Sequence, residues 1–211
     1  MVSRLVLHQR VDNPLHIQSI QRSFVNEKQI TLFSLTLKSI VSHTLTYFLV
    51  GLVASVVFNY SADFARPELR TYMRQIGDPI IALGPALQPL RGLLFALAFY
   101  PLREILFRKR NGWLITWGLL VALGIFSTFG PAPGSVEGAI YTTLPIVDQF
   151  FSGGMLEILT QSFLFSALLY YWVNHPEKRW LNWLLGILFA LVILMSALGY
   201  LAATGAIPVP A

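Results

Sequence analysis

Apolar residues fall into five long runs along this chain, separated by short polar or Gly/Pro-rich connections. The runs cover residues 39–60, 80–107, 113–129, 155–172 and 181–203. Each approaches or exceeds the roughly 20 residues a helix needs to cross a hydrocarbon core. They are continuous rather than alternating, so they predict helices and not the strands of a membrane barrel. The expected fold is an all-α integral membrane protein: a five-span transmembrane helix bundle with an amphipathic interfacial helix. Residues 1–38 read as a cytoplasmic extension, 39–203 as one membrane domain, and 204–211 as a short tail on the outer side. Residues 1–28 hold Arg4, His8, Arg10, Asp12 and Asn13 among isolated aliphatics, and do not form a signal peptide.

The connections carry the orientation signal. Arg103, Arg108, Lys109 and Arg110 stand against Glu104 alone, and the turn after the fourth run contains Lys178 and Arg179. The connection 130–153 has Glu137 and Asp148 and no Lys or Arg. Basic loops stay in the cytoplasm, so the amino end is expected inside and the carboxyl end outside, in a bacterial-type inner membrane. All five tryptophans, Trp113, Trp117, Trp172, Trp180 and Trp183, fall at the expected inner ends, where an interfacial belt would place them. The first outer connection is the exception. Pro67 can open a helix there, with Arg66, Arg70 and Arg74 along one face. That stripe predicts a surface helix with its arginines among phosphates, or an anion-collecting mouth. A four-span alternative would turn the first run into a surface helix.

Composition supports the membrane class. The chain is 55% hydrophobic and 12% charged, against about 25% charged in soluble domains. Mean hydropathy is +0.62. The net charge of +5 sits beside the apolar runs, which speaks for topology rather than nucleic-acid binding. There is no cysteine, which excludes disulfides, thiolate metal sites and cysteine nucleophiles. His43 and His175 are isolated at the expected inner boundary, so no haem or metal is expected. GPAPGSVEG lacks the GK[ST] ending of a phosphate loop and reads as a turn at a helix end.

An ionisable residue inside a span is a functional hypothesis by default. Arg91 lies in the second run, Gln88 one turn before it, and Glu157 near the outer start of the fourth. Arg91 and Glu157 are the expected pair. Gln88, Ser127, Thr128, Glu137, Tyr141 and Gln161 complete a polar cluster that reads first as a structural network pinning the helices together and second as one outward-facing pocket for a ligand. Gly118/Ala122 and Gly186/Ala190 are small pairs that allow close helix approach. The fifth run has only Ser196 as a polar residue along most of its length and would face lipid or another subunit.

Three functional readings follow. The first is a non-enzymatic subunit or accessory component of a membrane assembly, partnered by lipids and by homo- or hetero-subunits. The second is a binder or transporter of a small polar or anionic solute at Arg91. The third is a membrane enzyme acting on lipid headgroups through Glu137 or Glu157. No catalytic constellation or cofactor is expected.

Overall fold

The computed structural model describes residues 29–71 and 73–207, so the expected amino-terminal extension and the last residues of the tail lie largely outside the described residues. The chain divides into two units, Met1–Thr31 and Leu32–Ala211, and the second is the helical bundle. Every regular element among the described residues is helical. Four stretches are long and apolar enough to cross a membrane: Leu32–Val57, Pro79–Phe99, Ile146–Asn174 and Arg179–Ala203.

Helix α1 (Leu32–Val57) begins seven residues before the expected start. Two short helices follow, α2 (Tyr60–Phe64) and α3 (Pro67–Arg70). The expected amphipathic helix therefore ends at Arg70, before its arginine stripe is complete. Arg66 lies within 3.2 Å of both Asp63 and Asp148 and 3.8 Å of Glu68. Arg74 pairs with Asp78 at 2.7 Å. Local ion pairs, rather than a helical face, organise these arginines.

Asp78 caps α4 (Pro79–Phe99), accepting from the Ile80 N–H, with Pro79 in the first turn. Pro85 and Pro89 lie inside this helix, yet it runs through both. At Pro85 the reason is Ser196. Its hydroxyl donates to the Ala82 carbonyl and accepts from the Ala86 N–H. The two ends of one helical hydrogen bond are thus bridged by a side chain from another helix. After α4 the chain breaks at Pro101 and forms α5 (Arg103–Arg108), so the second run is shorter as a helix than its apolar length implied.

The third run differs most from expectation. It forms α6 (Gly112–Val121) and then a π-helical segment, Ala122–Phe126. At about 1.5 Å per residue this is about 22 Å, short of an approximately 30 Å hydrocarbon core. Helices α7 (Val136–Tyr141) and α8 (Ile146–Phe150) follow. Ser135 caps α7 by accepting from the Gly138 N–H at 2.9 Å. Buried Gln149 ties the two together, donating to the Leu144 carbonyl at 2.7 Å and accepting from the Gly134 N–H at 3.4 Å. Gly134 sits at φ 84°, where a side chain would be strained. Ser152 caps α9 (Gly153–Asn174), and α10 (Arg179–Ala203) completes the bundle.

Helix α1 is the centre, packed on by α4, α9 and α10. Helix α4 also packs on α10, and α9 also packs on α6. Membrane helices associate through close packing and polar contacts, because lipid tails are as apolar as leucine. The α1–α4 seam is built this way. A Cβ on Gly92 would stand 2.5 Å from the Ile40 Cα. Ser39 donates to the Gly92 carbonyl at 2.8 Å, and Ala96 is fully buried one turn on. The glycines expected to mark packing faces, Gly118 and Gly186, instead have open space where their Cβ would be. Ser196 is buried against α4 and does not face lipid. Trp172 also departs from the interfacial belt. It is buried with Leu181 and Leu185, and its indole donates to Asn182.

Candidate functional site

The first polar stripe lies on α1. Ser39, Ser42, His43 and Thr46 recur at three- and four-residue spacing and are all buried. Thr46 satisfies its hydroxyl by donating back to the Ser42 carbonyl at 2.9 Å. His43 cannot do this and reaches α4 instead. Its Nε2 meets Gln88 Oε1 at 3.1 Å. The Gln88 amide nitrogen donates to the Gly84 carbonyl at 3.2 Å, which leaves its oxygen to accept from the histidine. His43 Nδ1 is sealed from solvent and has no partner. The ring is held edge-on between Phe95 and Phe165, with centroids 5.0 and 5.2 Å away.

Beside His43 lies a cavity of about 190 Å³. Its floor is His43 and Phe165, from α1 and α9. One wall is Arg91 and Phe95 of α4, and the other is Leu120 of α6 with Gly124 and Ile125 of the π segment. Ile158, Gln161 and Ser162 of α9 lie across the back, and Thr128, Ala132 and Pro133 close the end. A π-helical turn widens the local backbone, and such turns recur at functional sites. Here it supplies two cavity residues.

Arg91 is the one charged side chain in this lining. Its guanidinium lies 5.7 Å from the Phe95 ring centroid. Among the described residues no carboxylate pairs with it, and Glu157, the expected partner, is occupied elsewhere. The Tyr60 hydroxyl donates to one Glu157 oxygen. The other oxygen lies 3.3 Å from where a Cβ on Gly51 would be. Glu157 thus faces α1 and α2, and outside the span burial first, and then the Glu157 carboxylate, raise the Tyr60 phenol above its ordinary range.

The expected pocket is therefore partly regrouped. Arg91, Thr128 and Gln161 line the cavity, and Gln88 stands behind it through His43. Glu157, Ser127, Glu137 and Tyr141 do not line it. Ser127 and Tyr141 are exposed, and Glu137 opens the first turn of α7. Sequence reasoning missed His43 because the first run was started at Ser39, which put the histidine near a boundary. With α1 starting at Leu32, His43 is its twelfth residue and lies near mid-helix. The signal was legible in the serine/threonine spacing around it.

A second, larger cavity of about 520 Å³ lies among the connections at the Asp78 end. Glu68, Thr71, Thr142 and Thr143 give it polar walls. Pro133 borders both cavities. The nearby arginines do not form an anion-collecting mouth. Asp148, with Asp63 and Glu68 adding, raises the Arg66 guanidinium above its ordinary range. Arg74 is held by Asp78, whose own carboxyl is lowered by the Ile80 N–H and then by Arg74. Arg70 is exposed.

Among the described residues no group of three or more His, Asp or Glu side chains is placed to hold a metal ion. Comparison with family models, curated proteins and solved structures finds no match to this chain.

Proposed function

We propose that this protein is a multi-pass membrane protein that binds a small anionic ligand in the Arg91 cavity. The carrying observation is that Arg91, within a helix long and apolar enough to cross a membrane, lines a cavity and pairs with no carboxylate among the described residues. An unpaired cation inside a bilayer costs several kcal/mol. A ligand that brings the missing negative charge recovers that cost. Gln161, Ser162 and Thr128 supply neutral hydrogen-bonding groups around it. The arrangement holds no nucleophile–base–orienter set, so the reading is binding rather than catalysis.

Orientation belongs to the same proposal. Arg103, Arg108, Lys109, Arg110, Lys178 and Arg179 collect at one end of the bundle, while Arg66 and Arg74 at the other are matched by carboxylates. The basic end is cytoplasmic by the positive-inside rule, in a bacterial-type inner membrane. Gly112–Phe126 then makes a fifth, short crossing, reached by local thinning of the bilayer. Single cysteines at Asn111 and Gly130 should react with an impermeant maleimide from opposite sides. Labelling of both from one side would sink the fifth crossing.

The binding test is native mass spectrometry of the protein taken from its own membrane in mild detergent. Wild type should carry a small added mass that Arg91→Gln loses, with helical content unchanged. An identical adduct on both proteins would refute the reading. A second reading, a non-enzymatic component of a membrane assembly, draws on Gly186 and Ala190, which lie uncovered on α10. In the same spectra it predicts a stoichiometric protein partner.

A further inference from the structure

Resting on the cavity as an anion site, we propose that its ligand is an anionic phospholipid-type amphiphile that reaches Arg91 sideways from the bilayer. The phosphate would sit at Arg91 and Gln161, and the tails would lie in the crevice between α4 and the π segment.

The crevice follows from the packing. Helix α4 packs on α1 and α10, and α6 packs on α9 and α5. Among the described residues α4 and α6 share no extensive packing although both line the cavity, and we place its opening between them, toward lipid. Arg91 is itself exposed on that side. Its neighbours one turn away, Leu87 and Leu94, are exposed as well, as is Leu123 on the π segment. A charge ringed by uncovered leucines is the complement of an amphiphile. A free anion would match the charge and leave the leucines without a role.

Depth and size agree with this. Arg91 is the thirteenth residue of α4, about 18 Å from its start at about 1.5 Å per residue. Thr128 and Pro133 line the same cavity, which therefore extends from Arg91 toward the connections. A headgroup from that leaflet needs only to descend along the crevice. The volume of about 190 Å³ is below the roughly 300–1,000 Å³ that whole small-molecule ligands occupy. It takes a headgroup and leaves the tails outside.

The water route is less suited to a free anion. The only charged residue lining the larger cavity beyond Pro133 is Glu68, an acidic group. Of the arginines nearby, Arg66 and Arg74 are already paired with carboxylates, and Arg70 is a single exposed cation outside the lining. No basic funnel leads inward, so the geometry lacks the steering that a soluble phosphate site would use.

Delipidated full-length protein in neutral detergent tests this, titrated separately with phosphatidylglycerol, phosphatidylcholine and inorganic phosphate and read by native mass spectrometry. Phosphatidylglycerol should give a defined adduct, phosphatidylcholine a weaker one, and inorganic phosphate none. Arg91→Gln should weaken the phosphatidylglycerol adduct about tenfold or more, as one charge-assisted pair is lost. Gly124→Phe should do the same by filling the crevice, since Gly124 lines the cavity and a Cβ there meets open space; its helical content is checked alongside. If Arg91→Gln fails to fold, Gly124→Phe alone decides. Arg91-dependent binding of inorganic phosphate, with lipid adducts equal in all three proteins, would overturn the amphiphile and keep the anion site. Insensitivity of every ligand to both changes would overturn both. Loss of lipid in Arg91→Gln with none in Gly124→Phe would overturn the sideways route.

Discussion

Helix α4 presents two unlike faces. Toward α1 it offers Gly92 and Ala96, and the backbones approach until nothing larger than hydrogen fits at Gly92. Most polar groups in that seam have a use: Ser39 bonds the Gly92 carbonyl, and Gln88 accepts from His43 while donating to Gly84, although His43 Nδ1 stays unpartnered. Toward α6 and the π segment the same helix offers Arg91, which finds no carboxylate, across from Gly124, which touches nothing. One face is filled and mostly satisfied, and the other is open and charged. Small residues and polar residues occur on both. What separates structure from function here is whether the groups are consumed by a neighbour, and residue type does not report that.

The strongest way to break this contrast is at the glycines. Gly92→Ala should cost about 3 kcal/mol, because the added carbon meets Ile40 backbone and the helices must part, losing the Ser39 bond. Gly118→Ala should change stability by less than about 0.5 kcal/mol, since its site is open. Unfolding in mixed detergent micelles measures both, and equal losses would abolish the distinction.

Next in size is Ser196→Ala. It leaves the Ala82 carbonyl and the Ala86 N–H without their bridge and should cost about 1 kcal/mol, in the range of interhelical polar contacts in membranes. The loss should be confined to stability, with the phosphatidylglycerol adduct intact. A ligand effect without a stability effect would reassign Ser196 from packing to the site.

The smallest effect concerns the connection that precedes α4. The Asp78 carboxyl is lowered from its ordinary 3.8 by the Ile80 N–H and by Arg74. A depressed folded value means that the stabilisation is present above about pH 4 and is lost as pH falls through the lower folded value. The melting temperatures of wild type and Asp78→Asn should therefore differ at neutral pH and converge in acid. Parallel curves down to pH 2 would show that the cap and the ion pair contribute nothing.

Much of the bundle was legible because hydrophobic length is a one-dimensional property. The four crossing stretches follow from runs of apolar residues, whereas the caps Asp78, Ser135 and Ser152 emerged only with the structure. The basic turns and the Arg91 anomaly were equally plain. The pairing was not. Arg91 and Glu157 share a depth, which suggested a salt bridge, but depth leaves the angle around the bundle unspecified. Only the packing order turned Glu157 toward Tyr60 and left Arg91 facing the crevice. The same limit hid His43, whose neighbours Phe95 and Phe165 come from two other helices. It also hid Ser196, whose hydroxyl meets the Ala82 carbonyl 114 residues away in sequence. The third run shows the converse: its apolar length implied a full crossing, and the helix stops at Phe126 after a π turn that no residue pattern marks. Sequence determined which segments are apolar enough to leave water and which end is basic, because transfer free energy adds up residue by residue. Tertiary structure decided which polar groups are spent on one another and which are left without a protein partner, because that depends on how helices are rotated and ordered around the bundle.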